Sequence, residues 1–342
     1  MELPSSSDLR KTFDSMLEQQ HNGVPGVLKV ESETPEPVIG ITAMTHGNEP
    51  SGLAAIWYYI RNHRLQRLLD VTKKGSVIFS VNNIAAAQDY FRLPHSASPL
   101  QKEKCRSQEV NMNRLPEDIL GRQSDNRREI RRALELCEKV FAGLDGGLDI
   151  HSVRTESRPM IVEVKGKGMS AARRFPIDIA LTNMIPVQMG RPLSAFYGGA
   201  QGNVPVVGIE AGQHERRDSR RYAIQCTRLF LQELGIIPWQ EREKPDSMPG
   251  YITEYRVAKG VTPPENGIFH MAKEFGMFEP IDPETILLTQ ADGERVIRAG
   301  MQGCVFMARP VSMSLPSTEE ACFLSEPAKQ VARASFGNSQ VG

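Results

Sequence analysis

Three short apolar runs in this chain each end on an imidazole or a carboxylate, and this recurrence constrains the fold more than any other feature. Val38 to Met44 leads into His46-Gly47-Asn48-Glu49, Leu148 to His151 stops at a histidine, and Val204 to Ile209 stops at Glu210. Apolar runs of this length without a helical period read as buried strands. Ser76 to Val81 and Met160 to Val164 are two more. Helical patterns separate them. Ser51 to Leu69 carries Leu53, Ile56, Trp57, Ile60 and Leu65 on one face, and Asp125 to Phe141 carries Ile130, Leu134, Cys137 and Phe141. Ser170 to Met184, interrupted by Pro176, and Arg216 to Leu234 follow, and a short helix is expected at Ser7 to Gln20. Strands alternating with helices specify an α/β fold with a largely parallel sheet flanked by helices. Ligands of such sheets bind beyond the carboxyl ends of the strands, where these polar residues collect.

Residues 84 to 124 read as mostly irregular and polar, long for a structureless connection and therefore a candidate functional loop. At Lys244 to Gly250 the composition shifts to a linker. Beyond it, Ile252 to Val257, Gly267 to Met271, Thr285 to Thr289, Val296 to Ala299 and Cys304 to Ala308 are short β-like runs parted by Pro, Gly and Asp. The expected organisation is an α/β domain over 1–244, a small β-rich domain over 245–315, and a flexible polar tail over 316–342. There is no internal repeat.

The balance of 41 Lys+Arg against 41 Asp+Glu argues against nucleic acid as a partner, since such proteins carry a basic surplus. The longest apolar stretches, such as Leu53 to Ile60, fall far short of the roughly 20 residues that span a bilayer, and Met1 to Phe13 has no secretory apolar region. The expected partner is a small molecule, with no membrane; a homo-oligomer is compatible with the sequence. Cys105, Cys137, Cys226, Cys304 and Cys322 are scattered and odd in number. They fit a reducing cytoplasm rather than a disulfide framework.

An imidazole and a carboxylate three residues apart, as in His46 and Glu49, suit zinc, and a third protein ligand would complete a catalytic site. His151 is the candidate third ligand, with Asp149 placed to orient it. Glu210, at the end of an apolar strand, suits a general base for a metal-activated water. His214 follows closely enough to line the same pocket. Gly166-Lys167-Gly168-Met169-Ser170-Ala171 fits a G-x-G-x-x-A pattern but lacks the acidic residue about 20 positions on that a ribose contact requires.

In order and rough spacing, His46-Gly47-Asn48-Glu49, Asn113-Arg114, Asp149-Ile150-His151 and Glu210-Ala211-Gly212 resemble the blocks H-G-N-E, D-L-N-R, D-L-H and E-x-G of the succinylglutamate desuccinylase/aspartoacylase family, zinc-carboxypeptidase-like amide hydrolases. The resemblance covers about residues 36 to 235, and the Gly267-to-Pro310 region is similar to the family's C-terminal β domain. It implies a mixed sheet of the zinc-carboxypeptidase type and one zinc per chain on His46, Glu49 and His151. It also implies that Glu210 is the base, that Arg106 polarises the scissile carbonyl, and that Asn113 and Arg114 hold a substrate carboxylate. The activity implied is hydrolysis of an N-acyl amino acid or related small amide by a metal-activated water. A carboxypeptidase acting on a short peptide, and a metal-free binding protein on the same fold, are the alternatives. Two departures stand out. Asn111 replaces the acidic first residue of the second block, and Phe196 to Gly208 lacks the arginine that binds the second carboxylate of N-acetylaspartate in aspartoacylases. Arg154 and Arg158 are the candidates to replace that contact.

Overall fold

The apolar runs pair into one mixed sheet. The computed structural model describes residues 1–165, 168–199, 203–239, 248–315, 317 and 319–336. In chain order its strands are β1 (Val27–Glu31), β2 (Thr34–Ala43), β3 (Lys74–Val81), β4 (Gly146–Val153), β5 (Met160–Lys165), β6 (Ile179–Thr182) and β7 (Val206–Gln213), then β8 (Tyr251–Val261), β9 (Glu279–Ile281), β10 (Gly303–Phe306), β11 (Cys322–Ser325) and β12 (Lys329–Ala332). Their spatial order is β9-β10-β11-β8-β6-β5-β7-β4-β2-β3-β1, with β12 also on β8. At the centre β3, β2, β4 and β7 are mutually parallel. They are buried on both faces, as the unbroken apolar runs require.

Helices cover both faces. Leu9, Phe13, Leu53, Ile56, Leu229 and Phe230 form a cluster on one side. Ile130, Leu134, Phe141 and Tyr197 form another on the opposite side. Gly52 lets the helix Ser51–Ile60 start directly against β2: a Cβ there would lie 2.6 Å from the Ala43 side chain.

Several expectations are corrected. The helix expected over Ser51 to Leu69 is two helices, Ser51–Ile60 and Arg64–Thr72. Between them Asn62 and His63 take left-handed backbone with φ of 53° and 52°. Residues 84–124 are mostly irregular, as expected, but they are not without structure. Ile84–Arg92 is helical, with Asn83 accepting from the Ala86 N–H, and Ser98 caps a short helix at Pro99–Glu103. The helix expected over Ser170 to Met184 gives way after Gly168–Ala172 to β6, past Pro176, whose ring cannot continue a helix.

The C-terminal region shares the main sheet, because β8 lies parallel to β6 and antiparallel to β11. The three strands Phe269–Met271, Ile286–Gln290 and Val296–Arg298 form a separate small sheet. Where a flexible tail is expected, β11 is fully buried, its Cys322 and Leu324 packed in the apolar cluster of this region. Residues 244–247 of the expected linker, residues 337–342, and Gly166 and Lys167 of the glycine pattern lie outside the described residues. Among the described residues no helix is long and apolar enough to cross a membrane.

Candidate metal centre

The parallel register brings the three polar strand ends to one place. Thr42 of β2 lies opposite Asp149 of β4, and His151 of β4 lies opposite Glu210 of β7. The turn after β2 adds His46 and Glu49. That turn needs glycine at 47: a Cβ there would meet the Ala86 carbonyl carbon at 2.3 Å and the Cys105 carbonyl oxygen at 2.4 Å. The Gly47 N–H donates to the Arg106 carbonyl at 2.9 Å, which ties the loop bearing Arg106 to the turn.

His46, Glu49 and His151 converge, with one ligand atom from each lying within 4.8 Å of the others. All three are buried, at 2 to 4% exposure. His46 Nδ1 faces Glu49 Oε1 at 2.8 Å and His151 Nδ1 faces Glu49 Oε2 at 2.7 Å.

The ring orientations are set from behind. Asn111 Oδ1 accepts the Asn113 backbone N–H at 2.8 Å and is therefore an acceptor. His46 Nε2, 2.9 Å from the same oxygen, must donate to it. His151 Nε2 lies 3.0 Å from Asp149 Oδ2, and Asp149 in turn accepts from Thr42 Oγ1 at 2.7 Å. Both Nδ1 atoms are thus turned toward the same carboxylate.

Burial, reinforced by the Arg106 charge, pushes the His46 imidazole down to about 4, so its Nδ1 presents a lone pair to an anionic oxygen. Two acceptors facing at hydrogen-bond distance repel unless a cation is shared between them. Two imidazole nitrogens and a carboxylate are a donor set that suits zinc, so the residues present fit a metal ion. Burial opposes charge on His151, but the Asp149 and Glu49 carboxylates outweigh it and raise its pKa well above the usual imidazole value.

Glu49 and Glu210 line a shared cavity of about 80 Å³. Burial, then the Glu49 charge, pushes the Glu210 carboxyl up to about 8, and its Oε2 is buried without a hydrogen-bond partner. Arg106 Nη1 donates to Glu49 Oε1 at 2.7 Å. Asn113 Nδ2 lies 3.3 Å from His151 Nε2, and its buried Oδ1 has no partner.

Arg114 borders the cavity, but its Nε is engaged by Glu320 Oε2 at 2.7 Å. Of the two arginines held as alternatives, Arg154 borders the cavity, whereas Arg158 pairs with Asp178 in a separate cleft beside Tyr222 and Phe278. His214 does line the cavity, as expected. Its Nδ1 lies 2.9 Å from Ser152 Oγ, and its Nε2 is buried without a partner.

Sequence reasoning missed Asn111 as the partner of His46, and it missed the carboxylates Glu103, Glu319 and Glu320. Glu103 Oε2 accepts from Asn48 Nδ2 of the metal turn at 3.2 Å, and its Oε1 accepts from Arg309 Nη1 at 2.9 Å. Arg309 also pairs with Glu319. The replacement of an acidic residue by Asn111 was the one available signal. The glutamates are joined to the site only by long-range pairing.

No family model and no curated protein matches the chain. Solved structures do. A succinylglutamate desuccinylase/aspartoacylase from Rhodobacter sphaeroides is 16% identical over 88% of each chain, with a TM-score of 0.59. A succinylglutamate desuccinylase from Vibrio cholerae is 17% identical over 89% of each chain, with a TM-score of 0.57. The product-bound ectoine utilization protein EutE (DoeB) from Ruegeria pomeroyi is 17% identical over 90% of this chain and 88% of its own, with a TM-score of 0.53. The chain therefore has the desuccinylase/aspartoacylase fold, and the resemblance read from four short sequence blocks is borne out at the level of fold.

Proposed function

We propose that this protein is a zinc-dependent amide hydrolase of the succinylglutamate desuccinylase/aspartoacylase type, removing the acyl group from an N-acyl amino acid or a related small amide. One zinc per chain would be held by His46, Glu49 and His151. The observation that carries this reading is the convergence of those three buried donors beside the Glu210 carboxyl, whose buried Oε2 has no partner. Zinc bound there supplies a Lewis acid for the carbonyl and lowers the pKa of a water.

The chain's own groups do the rest. Glu210 Oε2 takes the proton of the attacking water and returns it to the leaving nitrogen; a carboxyl poised well above its ordinary range suits a group that must both accept and give. Arg106 directs fixed positive charge at the carbonyl oxygen, where negative charge gathers. Asn113 Oδ1 is free to accept a hydrogen bond from the substrate. His46 and His151, nearly sealed from solvent, hold their orientation through Asn111 and Asp149. Five free cysteines, four of them buried, accord with a cytoplasmic protein.

The test is metal analysis of the purified protein followed by a screen of N-acyl amino acids and their amides for release of free amine. Zinc near one equivalent, with amine release abolished by a chelator and restored by zinc, is the expected result. Release of C-terminal residues from unblocked dipeptides alone would make it a carboxypeptidase. Absence of bound zinc together with undiminished turnover would remove the metal from the reading.

A further inference from the structure

The positive charges around the cavity already have partners. Arg106, Arg114, Arg154 and Arg309 border it. Arg106 is paired with Glu49, Arg154 with Glu274 at 3.3 Å, and Arg309 with Glu103 and Glu319. Arg114 is engaged at two of its three nitrogens. Its Nε donates to Glu320 Oε2, while Nη1 donates to the Asn113 carbonyl at 2.8 Å and to Gln188 Oε1 at 3.3 Å. Its guanidinium carbon sits 5.7 Å over the Phe323 ring.

A guanidinium grips a carboxylate with two parallel N–H bonds from one edge. Each edge of Arg114 that could do so has given up a nitrogen, one to Glu320 and the other to Asn113 and Gln188. Glu320 is not a stray surface charge. It is 5% exposed, and its second oxygen accepts the Met189 backbone N–H. A substrate carboxylate entering here would have to evict Glu320 or sit beside Glu320 and Glu103. Like charges placed together in a dry site repel strongly.

We infer that Glu320 is the specificity-determining residue of this pocket: a resident carboxylate that occupies the place a substrate carboxylate would take on Arg114, so that the substrate is an N-acyl amide with no negative charge on its amine half. This rests on the hydrolase reading above and narrows its substrate class.

Zinc-loaded protein should be titrated calorimetrically with N-acetylalanine and N-acetylalaninamide, two probes that differ by one charge. The wild-type protein should bind the amide at least about tenfold tighter than the acid, and Glu320→Gln should shift that ratio toward the acid by about tenfold or more. An acid bound as tightly as the amide by the wild type, or a ratio unmoved in Glu320→Gln, overturns the inference. The wild-type ratio requires no variant to fold. Arg114→Met/Glu320→Gln removes the pair as a unit and should keep the preference for the amide; a shift to the acid in that variant would also overturn it, because Arg114 would not be the group set free. Hydrolysis is read in parallel. The expected ratios without acetate release from either probe would sink the hydrolase reading and leave Glu320 in its role, whereas acetate release with a preference for the acid would do the reverse.

Discussion

At the scale of single residues, the proposed mechanism assigns metal binding and proton transfer to different groups. His151 offers Nδ1 to the centre and is held from behind by Asp149. Glu210 borders the same cavity but lies outside the convergent triad. His151→Ala should therefore lose most bound zinc, and Glu210→Gln should retain zinc while turnover falls about a hundredfold or more. Metal content and kcat measured on the same preparations check both, and near-wild-type turnover in zinc-loaded Glu210→Gln would take that residue out of the mechanism. Asn111 makes a finer case. Its Oδ1 is the acceptor that fixes the His46 proton on Nε2, so Asn111→Leu should cost roughly 10- to 100-fold in zinc affinity, read by competition with a chelating dye. The three candidate ligands were legible in the sequence because each sits within a few residues of a strand end. Asn111 was not, because its role depends on a contact with His46 across 65 residues of chain.

At the scale of elements, the metal turn is wedged between two segments that the sequence left shapeless. Periodicity found β2, β3, β4 and β7 because buried parallel strands are continuously apolar. It did not find the helix Ile84–Arg92, whose start depends on the Asn83 side-chain cap and whose outer face is polar. Nor did it find the break at Asn62 and His63, where the apolar spacing runs on while the backbone turns left-handed. The missed helix matters to the site, because Ala86 of its first turn is what a side chain at position 47 would strike. Gly47→Ala should push the turn off that helix and off the Cys105 carbonyl, costing about 1–3 kcal/mol in stability as overpacking does. Zinc affinity should fall with it, since His46 and Glu49 flank the displaced residue. Thermal melts and zinc titration test the link: a variant that loses stability but binds zinc as tightly as wild type would show that the turn's position does not set the ligand geometry.

At the scale of the whole molecule, the C-terminal strands are joined to the metal turn through charge. The chain's end reads as polar and loose in sequence because Cys322, Phe323 and Leu324 make only a short apolar run. Its burial comes from pairing with β8 and β10, which no local pattern announces. From this region Arg309 reaches Glu103, and Glu103 reaches Asn48 in the turn. Burial works against the charge on Glu103, but Arg106 and Arg309 outweigh it and hold its carboxyl below the ordinary value of 4.5. The folded state therefore binds fewer protons at this group than the unfolded chain does in the acid range, and stability rises with pH there. The contribution is fully present above 4.5 and is lost as pH falls through the depressed folded value. Glu103→Gln should thus cost stability at neutral pH by about 2 kcal/mol, less than the 3–5 typical of stranding a buried ion, because Arg309 keeps Glu319. The gap from wild type should close as the pH is lowered below the ordinary carboxylate range. Urea unfolding of both proteins at neutral and acid pH measures it, and a gap of the same size at both would mean that Glu103 acts through shape rather than charge.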